Sequence, residues 1–548
     1  MLRKVLNIFS SWLIAVRYRN KPDPFEAFKK MREGKSLPEK SKGNILILPI
    51  RVSPVSNLFE GIYSYAFALR GYEIHALICD QFLKKCDNVT TLKNFSVNCA
   101  LCKKEAERFE ESFSVKNHSY KELIDEKLVS EVNNYVDEVR KETLFSLNYK
   151  GVDLGKHIKS AVMRYLLSSD VDLNKYEGLA REYAKSTIYS YEATKALISK
   201  VNPKFVLTSH GVYSTWGGAL EACIEENIES IVWARGYIGG NIIASRNMSY
   251  LHERAIEPVQ HWNRLILTDQ QKNKVKKYFY EKRNPSSSVD HVNYYSSIDS
   301  TPNDNVKELI GFRSDSLKFG LFPNIPWDGT TFSYSDSFPT ITEFLEETLT
   351  WFKEHSEFDL IIRAHPAEIH SKQETIQDVI KKIMPELPPN IFLLAPDHSV
   401  NSYQISEICE ATLLYASTMA LELAYFGVPV IQAGKSNASN KGIVFEPESK
   451  GDYLNMLRRA SMGDLRMSHE MKEDAERYAF HWLYRRHFND PTHSRSGLVF
   501  EKYNIESVSD LEPGELKEVD WFVAKCEDNE PFIYDDTGGE MDIKQDFR

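Results

Sequence analysis

The sequence predicts an α/β protein of two doubly wound, Rossmann-like domains facing each other across a cleft, with extra helices around them. Three observations predict it. Short apolar runs alternate with helical patterns early in the chain, a polar stretch interrupts them, and the same alternation restarts beyond it. The length of 548 residues exceeds what one ordinary core organises, which fits two domains with accessory segments.

Residues 1–40 read as a basic amphipathic segment and linker. The apolar part of 1–21, around Trp12, is about a dozen residues, too short for a bilayer span of ~20. Flanking Arg3, Lys4, Arg17, Arg19 and Lys21 suit a helix lying on an anionic membrane surface; the alternative is a helix packed on the domain. No small-residue cleavage site follows, so a secretory signal is not expected. Residues 41–280 read as the first domain. The run Ile45–Leu48, a helix over Leu58–Leu69 closed by Gly71, and the run Ile74–Ile78 form a βαβ unit, which implies a parallel sheet. The unit lacks the Gly-rich dinucleotide fingerprint. Residues 103–200 read as a mostly helical insertion; strands at Phe205–Thr208 and Ser230–Ala234 then bracket a helix.

Residues 281–305 have linker composition. The second domain, 306–450, has expected strands at Phe319–Phe322, Leu360–Arg363, Ile391–Leu394, Thr412–Tyr415 and Pro429–Gln432. Residues 451–500 read as helices packing across the domains, and 501–548 as a partly disordered tail.

Composition narrows the function. A formal net charge of −10 leaves no broad cationic footprint, so no nucleic-acid partner is expected. Seven cysteines without an export signal point to a reducing, cytoplasmic setting, with the basic segment placing the chain at the inner membrane face. Four of them, Cys79, Cys86, Cys99 and Cys102, crowd one short stretch, the last two as C-x-x-C. That spacing suits a structural zinc or iron–sulfur site, although the first spacing is irregular and buried thiols or a redox pair fit it as well.

The segment Leu360-Ile-Ile-Arg-Ala-His-Pro366 ends an apolar strand on polar groups, so they sit at the carboxyl edge of a sheet. Arg363 offers a forked donor for phosphate, His365 a donor to a phosphate or sugar oxygen, and Pro366 a fixed turn. In Tyr415-Ala-Ser-Thr-Met-Ala-Leu-Glu422 a strand turns into a helix. Ser417 and Thr418 lie at its start, where amides and hydroxyls can cradle a phosphate, and Glu422 lies a turn further in, where it can accept from ribose hydroxyls. In the first domain, Thr208-Ser-His-Gly211 and Arg235-Gly-Tyr-Ile-Gly-Gly240 close two strands. His210 is the candidate acceptor contact or general base, and Arg235 a candidate to neutralise phosphate. Gly211, Tyr237, Trp327 and Asp328 are further candidate sugar or acceptor contacts.

The order RAHP, then STxALE, then GVPVIQAGKSNASNKGIVFEP resembles the capsule polysaccharide biosynthesis family of GT-B glycosyltransferases, well over 306–490 and only in architecture before that. Ala433-Gly-Lys435 through Lys441-Gly442 is the most specific part. The resemblance implies a glycosyltransferase that moves a sugar from a CMP- or UDP-linked donor to a growing surface glycan of capsule or lipopolysaccharide type, or to a lipid-linked acceptor. It implies that Arg363, His365, Pro366, Tyr415, Ser417, Thr418, Glu422 and Lys435 hold the nucleotide-sugar. His210, Arg235 and His365 are the catalytic candidates, and catalysis without a metal or other cofactor is usual for the architecture. The stretch Asn437-Ala-Ser-Asn440 stands where the family often has an aromatic, which leaves the donor sugar open. Two other readings share the fold. A non-hydrolysing nucleotide-sugar epimerase would need several carboxylates near the sugar in the first domain, and none stands at the obvious strand ends. A non-catalytic assembly or export protein would tolerate loss of His365 and Glu422.

Overall fold

The computed structural model describes residues 23–48, 54–88, 95–283, 306–313, 315–326, 335–370, 374–496 and 499–534. The basic segment 1–21, most of the expected linker, Trp327, Asp328 and the last fourteen residues, 535–548, lie outside the described residues.

Among the described residues the first sheet has seven strands. β1 (Gly43–Leu48) lies centrally, with β2 (Tyr72–Ile78) and then β3 (Lys116–Ser119) on one side. A two-residue hairpin, β4 (Asn148–Tyr149) and β5 (Val152–Asp153), stands apart in the helical insertion. On the other side of β1 lie β6 (Pro203–Ser209), β7 (Ser230–Arg235) and β8 (Asn241–Arg246). From β3 to β7 every pairing is parallel, in the order β3-β2-β1-β6-β7. β8 turns back antiparallel on β7.

Period-two burial builds this sheet into a three-layer sandwich. Ile45 and Ile47 enter one core with helix Pro54–Leu69, while Leu46 and Leu48 enter the opposite core with helices Leu173–Val201 and Ser214–Glu225. A strand apolar on both faces can only be central, which is where β1 sits.

The second sheet joins β9 (Lys318–Leu321), β10 (Asp359–Arg363), β11 (Ile391–Leu394), β12 (Ala411–Leu414) and β13 (Val430–Gln432). All its pairings are parallel, in the order β11-β10-β9-β12-β13. Leu360 and Ile362 face one core and Ile361 the other. Counting only their parallel strands, both sheets therefore share one order. Each steps outward twice, returns to its first strand and then steps outward on the other side. Each has one switch point, between β1 and β6 in the first half and between β9 and β12 in the second.

Helix His469–Phe480 runs into a π-helical turn, His481–Arg485, and the chain then re-enters the first half. β14 (Phe488–Asn489) pairs antiparallel with β8. A hairpin of β15 (His493–Ser496) and β16 (Val499–Tyr503) follows. Helix Lys517–Glu527 then buries Val519, Phe522, Val523 and Cys526 in the core beneath β1. This corrects the expectation of a loose tail from residue 501. Up to residue 534 the segment is part of the first half, because its apolar face lies against Phe59 and Tyr63 of helix Pro54–Leu69. Among the described residues no helix is long and apolar enough to cross a membrane.

Candidate functional site

The two halves touch where their strands end. Asn440, beyond β13, donates to the Ala255 carbonyl at 2.9 Å. Glu374, beyond β10, accepts from Ser168 Oγ, Ser169 N and Ser169 Oγ at 3.0, 2.9 and 2.8 Å. The carboxyl edges of both sheets, and hence both switch points, therefore turn toward one cleft. The fold is GT-B-like.

In the second half, β9 runs out through Phe322 and Pro323 to Asn324, whose Oδ1 accepts from the Ala416 N–H at 3.0 Å. That bond ties the two strands flanking the switch point and leads into Ser417 and Thr418. Asn324 was not among the sequence candidates, since a lone Pro-Asn after a strand carries no signal by itself. Ser417 Oγ accepts from Met419 N at 3.2 Å, and Thr418 opens the seven-residue helix Met419–Tyr425 without a side-chain cap. Both side chains are partly exposed at the edge.

His365 lies beyond β10, on the other side of β9 from β12. Its Nδ1 accepts from the Ala367 N–H at 3.1 Å, which puts the ring proton on Nε2. Burial, with the Arg363 charge behind it, lowers its pKa to about 4. At neutral pH it is an uncharged ring donating from Nε2. Pro366 begins the turn Pro366–His370 that fixes this geometry.

Other expected ligands are committed elsewhere. Arg363 does not present its fork at the edge; the guanidinium folds back and donates to the carbonyls of Val400, Ala364, Ala395, Pro396 and His398 at 2.6–3.1 Å. It braces the loop after β11. Tyr415 is buried with its hydroxyl donating to Phe338 O at 3.1 Å, and burial raises its pKa. Glu422 does not face a ribose position, because its carboxylate accepts from the Tyr403 hydroxyl and pairs with Lys282 at 2.8 Å. Lys435 pairs with Asp336 at 2.9 Å and Glu446 at 3.6 Å. The second-half set reduces to His365, Ser417, Thr418 and Asn324.

In the first half, His210 sits at the switch point, just past β6. Its φ is +61° and that of Gly211 is +69°, two successive left-handed residues that store strain at the sheet edge. The His210 ring stacks on Trp216 at 4.8 Å. A Cβ on Gly211 would come within 2.8 Å of the Leu220 side chain, so the turn accepts only glycine there. His157, missed by the sequence reading, supports this turn. One ring nitrogen contacts Val212 O at 2.7 Å and the other Glu221 at 3.1 Å. Arg235 ends β7 close to Arg495; burial and then the Arg235 charge pull Arg495 down to about 10. Tyr237 is not an open sugar contact: its hydroxyl accepts from Arg254 at 2.7 Å and its N–H donates to His487 at 3.1 Å.

The cysteine cluster is the expected place of a structural zinc or iron–sulfur site. Among the described residues no group of three or more His, Cys, Asp or Glu side chains stands where it could hold a metal ion. Burial pushes up the thiols of Cys79, Cys86 and Cys99, and Cys79 and Cys86 pack against the helical side of the first sheet. These are protonated thiols in apolar surroundings.

No family model and no curated protein matches the chain. Among solved structures, it is similar to the KpsC β-Kdo 2,4-transferase of Thermosulfurimonas dismutans at 13% identity and a TM-score of 0.33, covering 50% of this chain and 79% of that one. It is similar to the UDP-GlcNAc 2-epimerase of Neisseria meningitidis at 8% identity and a TM-score of 0.24, covering 79% and 97%. A third likeness, at 11% identity and a TM-score of 0.29, is to the N-terminal domain of Candida albicans trehalose-6-phosphate phosphatase, covering 82% and 97%. The fold is therefore read from the two sheets themselves.

Proposed function

We propose that this chain is a glycosyltransferase that takes a sugar from a UDP- or CMP-linked donor and adds it to a growing surface glycan or lipid-linked acceptor. One observation carries the reading: two sheets whose parallel strands share one order turn their switch points toward one cleft, with His210 at one, Ser417 and Thr418 at the other, and His365 past the next strand, β10. Ligands of open parallel sheets bind at such points.

The nucleotide occupies the crevice between β9 and β12. The bond from the anomeric carbon to phosphate breaks, and the phosphate leaves with the bonding pair. His365 Nε2–H and the Ser417 and Thr418 hydroxyls stabilise the charge that develops on it. The acceptor oxygen attacks from the first half. Where the anomeric centre inverts, His210 takes the hydroxyl proton. No cofactor enters these steps. The basic segment 1–21 holds the protein at the inner face of the membrane.

The test is a thermal-shift panel of UDP- and CMP-sugars. A shift with one of them that His365→Ala abolishes is expected, with a loss of about 10²-fold in transfer rate. Product analysis with and without acceptor separates transfer from epimerisation. If no nucleotide sugar shifts the melting temperature, both enzyme readings fall.

A further inference from the structure

Where the two halves meet, the seam is buried and charged. Helix Tyr250–Ile256 and the residue after it bring Glu253, Arg254 and Glu257, the loop beyond β13 brings Lys441, and the helix with the π-turn brings Tyr478, His481 and, just past it, Arg486. Most of these groups pair among themselves. Glu257 contacts His481 Nε2 at 2.9 Å and accepts from Arg486 at 3.2 Å, and Arg486 also engages Glu253.

Arg254 is different. It is 1% exposed, and only its Nη1 is used, donating to the Tyr237 hydroxyl at 2.7 Å. Among the described residues its Nε and Nη2 are buried without a hydrogen-bond partner. Those two atoms form the side-on edge of the guanidinium, the edge that grips a planar or tetrahedral oxyanion through two parallel bonds. The neighbours point the same way. Among the described residues Lys441 Nζ donates only to carbonyls, Ser439 O at 2.9 Å and Arg254 O at 3.3 Å, and stands 5.4 Å from the centre of the Tyr478 ring. The Tyr478 hydroxyl is likewise buried and, among the described residues, without a hydrogen-bond partner. Among the described residues neither seam carboxylate hydrogen-bonds Arg254: Glu253 engages Arg486, and Glu257 engages Arg486 and His481 through Oε1, with Oε2 left without a partner. Arginine does not shed its proton to escape burial, and a buried charge without a counter-charge is costly. Burial lowers the Lys441 ammonium to about 8, against the opposing pull of Glu257, Glu446 and Glu253.

We propose that the seam is an oxyanion subsite, in which a phosphate or carboxylate group of a ligand is held side-on by Arg254, with Lys441 and the Tyr478 hydroxyl completing the cradle. Arg254 is tied through Tyr237 to the end of β7, and Lys441 follows β13, so the subsite belongs to both halves. A bound anion holds them together.

The test uses the full chain and simple anions: calorimetric titration with inorganic phosphate and pyrophosphate in one arm, and with acetate and pyruvate in the other. Binding in either arm is expected, and the arm that responds identifies the group as phosphoryl or carboxylate. Arg254→Gln and Arg254→Lys should each weaken it at least tenfold, since a point charge does not replace the fork. Tyr478→Phe, which removes one hydroxyl, should weaken it several-fold with the ligand-free melting temperature unchanged. Arg254→Met should leave that temperature unchanged or raise it. Absence of binding in both arms, unchanged affinity in Arg254→Gln, or a melting temperature that falls in Tyr478→Phe while its affinity holds would each overturn the proposal. No nucleotide sugar is used, so this result and that of the donor panel stand or fall separately.

Discussion

At the scale of single residues, the turn after β10 shows how far a motif reads. The sequence placed Arg363, His365 and Pro366 at a strand end, because an apolar run that stops on polar groups must stop at the rim of a sheet. It did not show that Arg363 would turn back into a cage of five carbonyls, four of them from residues 395–400, since partners brought by folding leave no local trace. Glu368 was missed for the same reason. It is buried, accepts from Ile376 N at 2.9 Å through Oε2, and among the described residues has no partner for Oε1. Burial raises its pKa to about 7. The folded carboxyl thus keeps its proton between the unfolded value near 4.5 and about 7, and stability falls as pH rises through that window. Glu368→Gln, uncharged at every pH, should stabilise the protein by roughly 2 kcal/mol at pH 8 and change little at pH 4. Denaturation at the two pH values checks it; equal effects at both would contradict the buried acid.

At the scale of elements, nine parallel strands were legible as short apolar runs, including β11 and β13 at the edges of the second sheet. The edge strand β3, Lys-Asn-His-Ser, was read as part of a helical region, because a strand with one neighbour and partial exposure keeps no apolar signature. β8 was lost behind the glycine-rich turn before it. Helix Pro54–Leu69 carries another unwritten constraint. A Cβ on Gly61 would sit 2.3 Å from the Phe113 ring, which is fully buried. Alanine is favoured over glycine within a helix by about 1 kcal/mol, yet overpacking costs about 1–3 kcal/mol. Gly61→Ala is therefore expected to lower the melting temperature by several degrees. A rise would show that the helices can part without penalty.

At the scale of the whole molecule, the second half was readable from its ordered motifs, and the first only in outline. The first half closes with residues the sequence reading assigned to a tail. Helix Lys517–Glu527 has mixed charge and short apolar spacing, and its role is visible only once Phe522 is seen against Phe59 and Tyr63. Phe522→Ala should cost roughly 3–5 kcal/mol in urea denaturation. It should destabilise the sheet built around β1, read from protection of Ile45–Leu48 amides in hydrogen exchange. Unchanged protection would return 501–534 to the status of an appendage.

The antiparallel seat of β14 on β8 also sets an order of events during synthesis. The first sheet gains its last strand, and the core beneath β1 its covering helix, only after the second half has been translated. At about 5–20 residues per second, the opening strand waits on the order of tens of seconds for the residues that cover it. Throughout that interval the exposed underside of the nascent sheet is a surface that a chaperone must shield or a neighbouring chain can capture. The yield of active protein should therefore respond to translation speed and growth temperature.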